Sequence, residues 1–173
     1  MNRERLVLGD VEQPTADRVD ELVRELVAAR ERRALSQRRL SALLGLTEIV
    51  VSKWECKLDT PSTEHFVRWG AFLGYELVLV DPADKPIVDR PDVLPQEPFE
   101  HYEVRRIALA LKAARQDAGF TQKALGAELA VSKRTVWLWE SSRRGPRLKH
   151  LLAWADRLGC RIVLEPQRLG SAT

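Results

Sequence analysis

The chain has 173 residues, 45% of them hydrophobic, and a formal charge of +3 with a pI of about 9.1, enough apolar content for one ordinary domain or two small ones. Its longest apolar runs, such as YELVLV at 75–80, fall far short of the roughly 20 residues a membrane span needs. Charged residues follow Met1, so a soluble, cytoplasmic protein with no membrane partner is expected. Two cysteines, Cys56 and Cys160, and three histidines exclude a disulfide framework and a zinc-finger cluster; no metal or cofactor is implied.

In chain order, RLVL at 5–8 is a candidate short strand. Thr15 caps the first predicted helix, in which Val19, Leu22, Val23, Leu26 and Val27 recur at helical spacing. Ser36 starts a second, with Leu40, Leu43 and Leu44 on one side, and Gly45 closes it by accepting the left-handed conformation. Thr47 caps a third that runs to about Glu55, and Pro61-Ser62 opens a fourth ending near Gly74. Residues 75–80 then read as a strand with Tyr75, Leu77 and Leu79 on its apolar face.

Residues 81–99 carry prolines at 82, 86, 91, 95 and 98 and little periodicity. They read as an extended acidic linker or, because Ile87, Val88, Val93, Leu94 and Phe99 offer something to bury, as an ordered strap. The earlier order then recurs. Caps fall at Thr121 and Ser132, a fourth helix opens near Pro146-Arg147, and CRIVLE at 160–165 forms a strand with Cys160, Ile162 and Leu164 on one face.

This recurrence is a repeat: residues 30–80 and 115–165 align without a gap. Arg30/Arg115, Gln37/Gln122, Leu40/Leu125, Val51/Val136, Trp54/Trp139, Glu55/Glu140, Pro61/Pro146, His65/His150 and Trp69/Trp154 match, and most are apolar or turn residues. What repeats is a core, to which Trp69, Trp154, His65 and His150 are assigned. A lone strand leaves half its backbone groups unpaired. The two strands are therefore predicted to pair antiparallel within the molecule and to relate the two halves by an approximate two-fold.

LSQRRLSALLGLTEIVVSKWECKLDTPS and FTQKALGAELAVSKRTVWLWESSRRGP both resemble the Cro/repressor helix-turn-helix family, also called the xenobiotic-response-element family of bacterial and phage regulators. The shared marks are Ser/Thr-Gln opening the second helix, Trp-Glu ending the third, and Pro seven residues after that Trp. The resemblance implies a mainly α fold of two tandem four- to five-helix helix-turn-helix domains, each followed by a strand of one small antiparallel sheet. The domains are 15–80 and 100–166, with the linker at 81–99. The chain departs from the family at Lys57 and Ser142, where Gly is usual, and Ala130 stands where the first copy has Gly45, so slight strain is expected in those turns.

In the family the third helix enters the DNA major groove and its N-terminal residues meet base edges. Val51, Trp54, Val136 and Trp139 would hold that helix inward. The positions carried across as base readers are Glu48, Ile49, Ser52 and Lys53 in the first copy, and Lys133, Arg134, Thr135, Trp137 and Leu138 in the second. Lys133 and Arg134 suit guanine O6 and N7, Thr135 or Ile49 a thymine methyl, and Glu48 the cytosine amino group. Gln37, Arg38, Arg39, Thr47, Gln122, Lys123, Ser132, Arg143, Arg144 and Arg147 are the expected phosphate contacts.

Residues 100–166 hold 13 Lys/Arg against 7 Asp/Glu, whereas 15–80 hold 10 of each. The C-terminal copy should carry most of the salt-dependent affinity. The expected protein is a nucleoid-associated transcriptional regulator, with repression favoured. It binds double-stranded DNA as an intramolecular pseudo-dimer on an asymmetric or imperfectly palindromic operator, and a homodimer with four heads is the alternative assembly. The competing class is an antitoxin or adaptor whose heads bind a protein partner, favoured by the apolar and acidic Glu48-Ile49-Val50. No phosphate-binding Gly loop, nucleophile elbow or metal cluster suggests an enzyme. No separate sensor domain is left once the two copies are assigned.

Overall fold

The computed structural model describes residues 9–88 and 90–167, with only the backbone course given for 9–14. Its elements run α1 (Gly9–Arg32), α2 (Gln37–Leu43), α3 (Val50–Glu55), α4 (Thr63–Phe72), β1 (Tyr75–Val80), α5 (Phe99–Asp117), α6 (Gln122–Glu128), α7 (Lys133–Glu140), α8 (Leu148–Arg157) and β2 (Arg161–Pro166). The described residues thus form eight helices and one two-stranded antiparallel sheet. The candidate strand at 5–8 lies outside them.

Four of the eight helix starts follow from local capping chemistry. The hydroxyls of Ser36, Ser62, Thr121 and Ser132 accept the backbone N–H three residues on, from Arg39, His65, Ala124 and Thr135, at 3.1, 3.2, 3.0 and 3.1 Å. Two expected caps are corrected. Thr15 lies inside α1, which starts at Gly9; it is buried, and a capping hydroxyl belongs at an open helix end. Thr47 caps nothing by its side chain, because residues 48–49 form a turn and α3 begins only at Val50. The buried Ser41 Oγ of α2 instead accepts the Val51 N–H at 3.3 Å, so a tertiary bond replaces the local one.

β1 and β2 pair antiparallel, as the instability of a lone strand requires, with Val78 opposite Val163 at the centre. The second strand begins one residue later than expected, at Arg161, and β1 is buried on both faces from Leu77 to Val80 rather than on one. A second bridge joins Ser62 to Arg147. Val78 and Val163, like Ser62 and Arg147, stand 85 positions apart, the offset at which the sequence repeats.

Each long helix also reaches the strand of the other half. Arg18 of α1 donates to the Ile162 carbonyl at 3.1 Å, and Arg106 of α5 donates to the Leu77 carbonyl at 2.9 Å. Each arginine is held by a glutamate one turn away on its own helix, Glu21 and Glu103, though the order of the two residues is reversed. α1 packs on α8 and α5 on α4, so Leu22, Leu26, Trp69, Leu79, Ile107, Leu111, Trp154 and Ile162 belong to one continuous core. The Trp54–Trp69 and Trp139–Trp154 rings stack at 5.7 and 5.9 Å between centroids.

The proline-rich stretch is partly strap and partly exposed. Asp81 Oδ1 accepts the Ala83 and Lys85 N–H groups and folds the chain back, so that Ile87 bonds to the Leu79 carbonyl on the free edge of β1 at 2.8 Å. Further on, Arg105 ties down the Glu97 carboxylate at 2.6 Å and the Asp92 carbonyl at 2.7 Å. That guanidinium holds the Glu97 carboxyl below its ordinary pKa. Val88, Val93, Leu94 and Phe99 remain exposed.

Ala34, Lys57, Ala130 and Ser142 have φ of +51°, +60°, +52° and +56°, where Gly45 in the first copy has +69°. A Cβ in this region is unfavourable. Ala130→Gly is therefore expected to raise stability by about 0.5–1 kcal/mol, read as a higher midpoint in urea unfolding.

Candidate nucleic-acid interface

Two buried ion pairs fix the pieces that carry the expected DNA-facing residues. Arg115 of α5 forks onto Glu140 at the end of α7, with Nη2 to Oε2 at 3.0 Å, and also donates to the Phe120 carbonyl. Arg30 makes the same arrangement with Glu55, at 2.7 and 2.8 Å, and with the Leu35 carbonyl at 2.6 Å. The carboxylates are 2% and 6% exposed, so each is almost wholly removed from water and depends on its partner. The amides of Gln122 and Gln37 complete these clusters, donating to Glu140 at 2.8 Å and Glu55 at 2.6 Å. The two glutamines assigned to phosphates thus have one side of the amide committed inward. Sequence reasoning matched both Trp-Glu pairs but missed what the glutamate does; its only signal was that Arg30, Gln37 and Glu55 recur together.

The two third helices differ in how they present themselves. α7 is capped at Ser132 and spans eight residues, with Val136 and Trp139 buried and Lys133, Arg134 and Trp137 exposed. Thr135 and Leu138 are half-buried, and the Thr135 hydroxyl lies 2.9 Å from Ser132 Oγ within the cap. The Arg143 guanidinium lies 5.1 Å from the centre of the Trp137 ring, which sets a cation beside the exposed face of the helix. Lys123, Ser132, Arg144 and Arg147 are exposed around it. No described carboxylate pairs with Lys133, Arg134 or Arg143.

In the first copy α3 is six residues long, and Glu48 and Ile49 sit in the turn before it. Glu48 pairs with Arg38 at 2.8 Å, both largely exposed, so an expected base reader and an expected phosphate contact neutralise each other. Such an exposed pair is worth only about 0–1 kcal/mol and is easily parted. Ile49 is 58% exposed, Lys53, Thr47 and Arg39 are exposed, and Ser52 is half-buried.

The tightness of the second copy has a local cause. A Cβ at Gly126 of α6 would stand 2.8 Å from the Val131 carbonyl and 3.3 Å from the Ser132 carbonyl carbon, so only glycine lets the turn before α7 pass this close. The equivalent position in the first copy is Ser41, where the later start of α3 leaves room. Gly126→Ala is expected to lower stability by about 1–3 kcal/mol, checked by thermal unfolding followed by circular dichroism.

A family model described as helix-turn-helix matches residues 111–164, from the second half of α5 to β2. No curated protein and no solved structure matches the chain. The C-terminal half therefore carries a helix-turn-helix DNA-binding domain, with α6 and α7 as its two central helices. Among the described residues no helix is long and apolar enough to cross a membrane, and no group of His, Cys, Asp and Glu could hold a metal ion.

Proposed function

We propose that the chain is a sequence-specific regulator of transcription that binds double-stranded DNA through two unlike heads, residues 15–80 and 100–166. The observation that carries this reading is α7. A capped third helix within a matched helix-turn-helix segment exposes Lys133, Arg134 and Trp137, with Arg143 alongside and no described carboxylate to quench them. Lys133 and Arg134 read base edges, with the exposed flank of Trp137 and the Thr135 methyl beside them. Lys123, Ser132, Arg143, Arg144 and Arg147 hold phosphates, as does the free side of the Gln122 amide.

The first half is the second head, in which Ile49, Ser52 and Lys53 read bases once the Arg38–Glu48 pair opens. Support comes from the 85-residue offset. Val78 meets Val163 and Ser62 meets Arg147, so two residue pairs related by the repeat touch each other, as they would on either side of a two-fold axis. A chain so arranged acts as a pseudo-dimer on an asymmetric or imperfectly palindromic site, and occupancy of a promoter would repress it.

Selection of bound duplexes from random DNA, with the mass of the complex measured in parallel, tests this. An asymmetric motif with one chain per duplex is expected; a perfect palindrome with two chains would overturn the two-headed form. A second reading has one specific observation behind it. Ile49, Leu58 and Leu43 are exposed on the first half, where Glu48 is already neutralised, which favours a protein partner for that head. Under that reading Glu48→Ala with Ile49→Ala leaves the DNA footprint unchanged and releases a co-purifying protein.

A further inference from the structure

The two halves meet along two clefts of unequal size. One, lined by Val104, Ala108 and Trp139, encloses about 260 Å³; the other, lined by Val19, Val23 and Trp54, encloses about 680 Å³. These residues correspond at the offset of 85, so the difference comes from what surrounds them. The smaller cleft has His101 and Arg105 in its wall, where the larger has Ala16 and Asp20. Arg68 of α4 forms an ion pair with Glu100, the residue before His101 in α5. Their counterparts are Ala153 and Thr15, which line the larger cleft.

The chemistry of the larger cleft is specific. Its apolar wall is Val19, Val23, Trp54, Leu129 and Ala153. Of its charges, Asp20 is paired with Lys57, Glu128 with Arg157 at 3.3 Å, and Asp59 is turned to the Thr60 N–H at 2.8 Å. Lys149 has no carboxylate partner among the described residues. His150 lies tilted against Trp139 with ring centroids 5.5 Å apart and no hydrogen bond to its ring from the described residues, whereas its counterpart His65 meets Ser62 Oγ at 3.1 Å. Burial, reinforced by Lys149 and Arg147, holds His150 below its ordinary pKa.

We infer that this cleft is an effector site for a small apolar carboxylate, an aryl or branched-chain acid whose anion meets Lys149 and whose body lies against Trp54, Val19 and Leu129. The volume lies within the range of small-molecule sites, and such sites favour mostly apolar walls with a few convergent polar groups. Its walls include Trp54 of α3 and, across the cleft, Leu129 and Ala130 in the turn that leads into α7. An occupant touches the supports of both third helices, and its preference for one arrangement of them changes its own affinity and that for DNA by the same factor. That coupling rests on the regulator reading above; the binding does not.

The test uses the full chain without DNA, titrated with 4-phenylbutyrate, indole-3-acetate and 4-methylvalerate and followed by amide NMR and calorimetry. Saturable shifts centred on Val19, Val23, Trp54, Ala130 and Ala153 are expected for at least one acid. Lys149→Ala, or the neutral amide of the same acid on the unaltered chain, should weaken binding about tenfold or more. Ala153→Arg, which restores the bulk found at Arg68, should abolish it while the amide spectrum elsewhere stays unchanged. No saturable shift with any of the three acids, or binding indifferent to both substitutions, overturns the site. Selection of bound duplexes from random DNA, run alongside, then separates the two readings. Acid binding without any DNA motif keeps the site and removes the regulator, and DNA binding without acid binding does the reverse.

Discussion

Glu140→Ala is expected to destabilise the protein by about 3–5 kcal/mol, read as a lower midpoint in urea unfolding followed by tryptophan fluorescence. The carboxylate is 2% exposed and receives the Arg115 fork and the Gln122 amide, so its removal strands a buried guanidinium in the core. Most of the loss comes from that orphaned charge and not from the absent attraction. Glu140→Gln keeps a hydrogen-bond acceptor and should fall between the two. Because one continuous core joins both halves, the variant should still unfold in a single transition, displaced as a whole. A loss below about 1 kcal/mol would show that Arg115 finds water or another acceptor.

The second large effect concerns DNA. Lys133→Ala together with Arg134→Ala is expected to weaken binding to a selected duplex by about 2–4 kcal/mol, or about 30- to 1000-fold, in a fluorescence-anisotropy titration at fixed salt. Both side chains are exposed at the capped start of α7 and hold no described carboxylate, so nothing is desolvated or unpaired by removing them. Stability should stay within about 0.5 kcal/mol, which distinguishes weaker recognition from a damaged fold. Discrimination between bases should relax while the slope of affinity against salt stays nearly unchanged, because the phosphate contacts are assigned to other residues. An unchanged affinity would sink the assignment of α7 as the reading helix.

The elements legible in the sequence were those whose signals are local. Ser36, Ser62, Thr121 and Ser132 cap helices through bonds to residues three positions away, and the β-branched run at 75–80 is a strand because its own composition favours one. Lone-strand instability then led to the pairing of β1 with β2. What could not be read depends on interactions across the fold. Thr47 has a good capping sequence but loses its role to Ser41, a residue of the preceding helix. Thr15 has one too, yet it is buried within a longer helix. The glutamates after Trp54 and Trp139 stood out only as a repeated mark, since their arginine partners lie 25 residues upstream. The larger cleft between the halves was invisible for the same reason. Its lining includes Ala153 and Thr15, at the positions where the other half has Arg68 and Glu100, a comparison that acquires meaning only once the halves are placed together.

The union of β1 with β2 also bears on how such a protein would respond to its own abundance. Subunits that must find each other before acting come apart on dilution, and their occupancy of a target climbs steeply with dose. Here the two strands belong to one polypeptide, so their encounter is a matter of chain closure and is unaffected by how many molecules are present. On the two-headed reading proposed above, a few copies are as fully assembled as many. Occupancy should then rise in proportion to supply at low dose and level off without a threshold, a graded response in place of a switch.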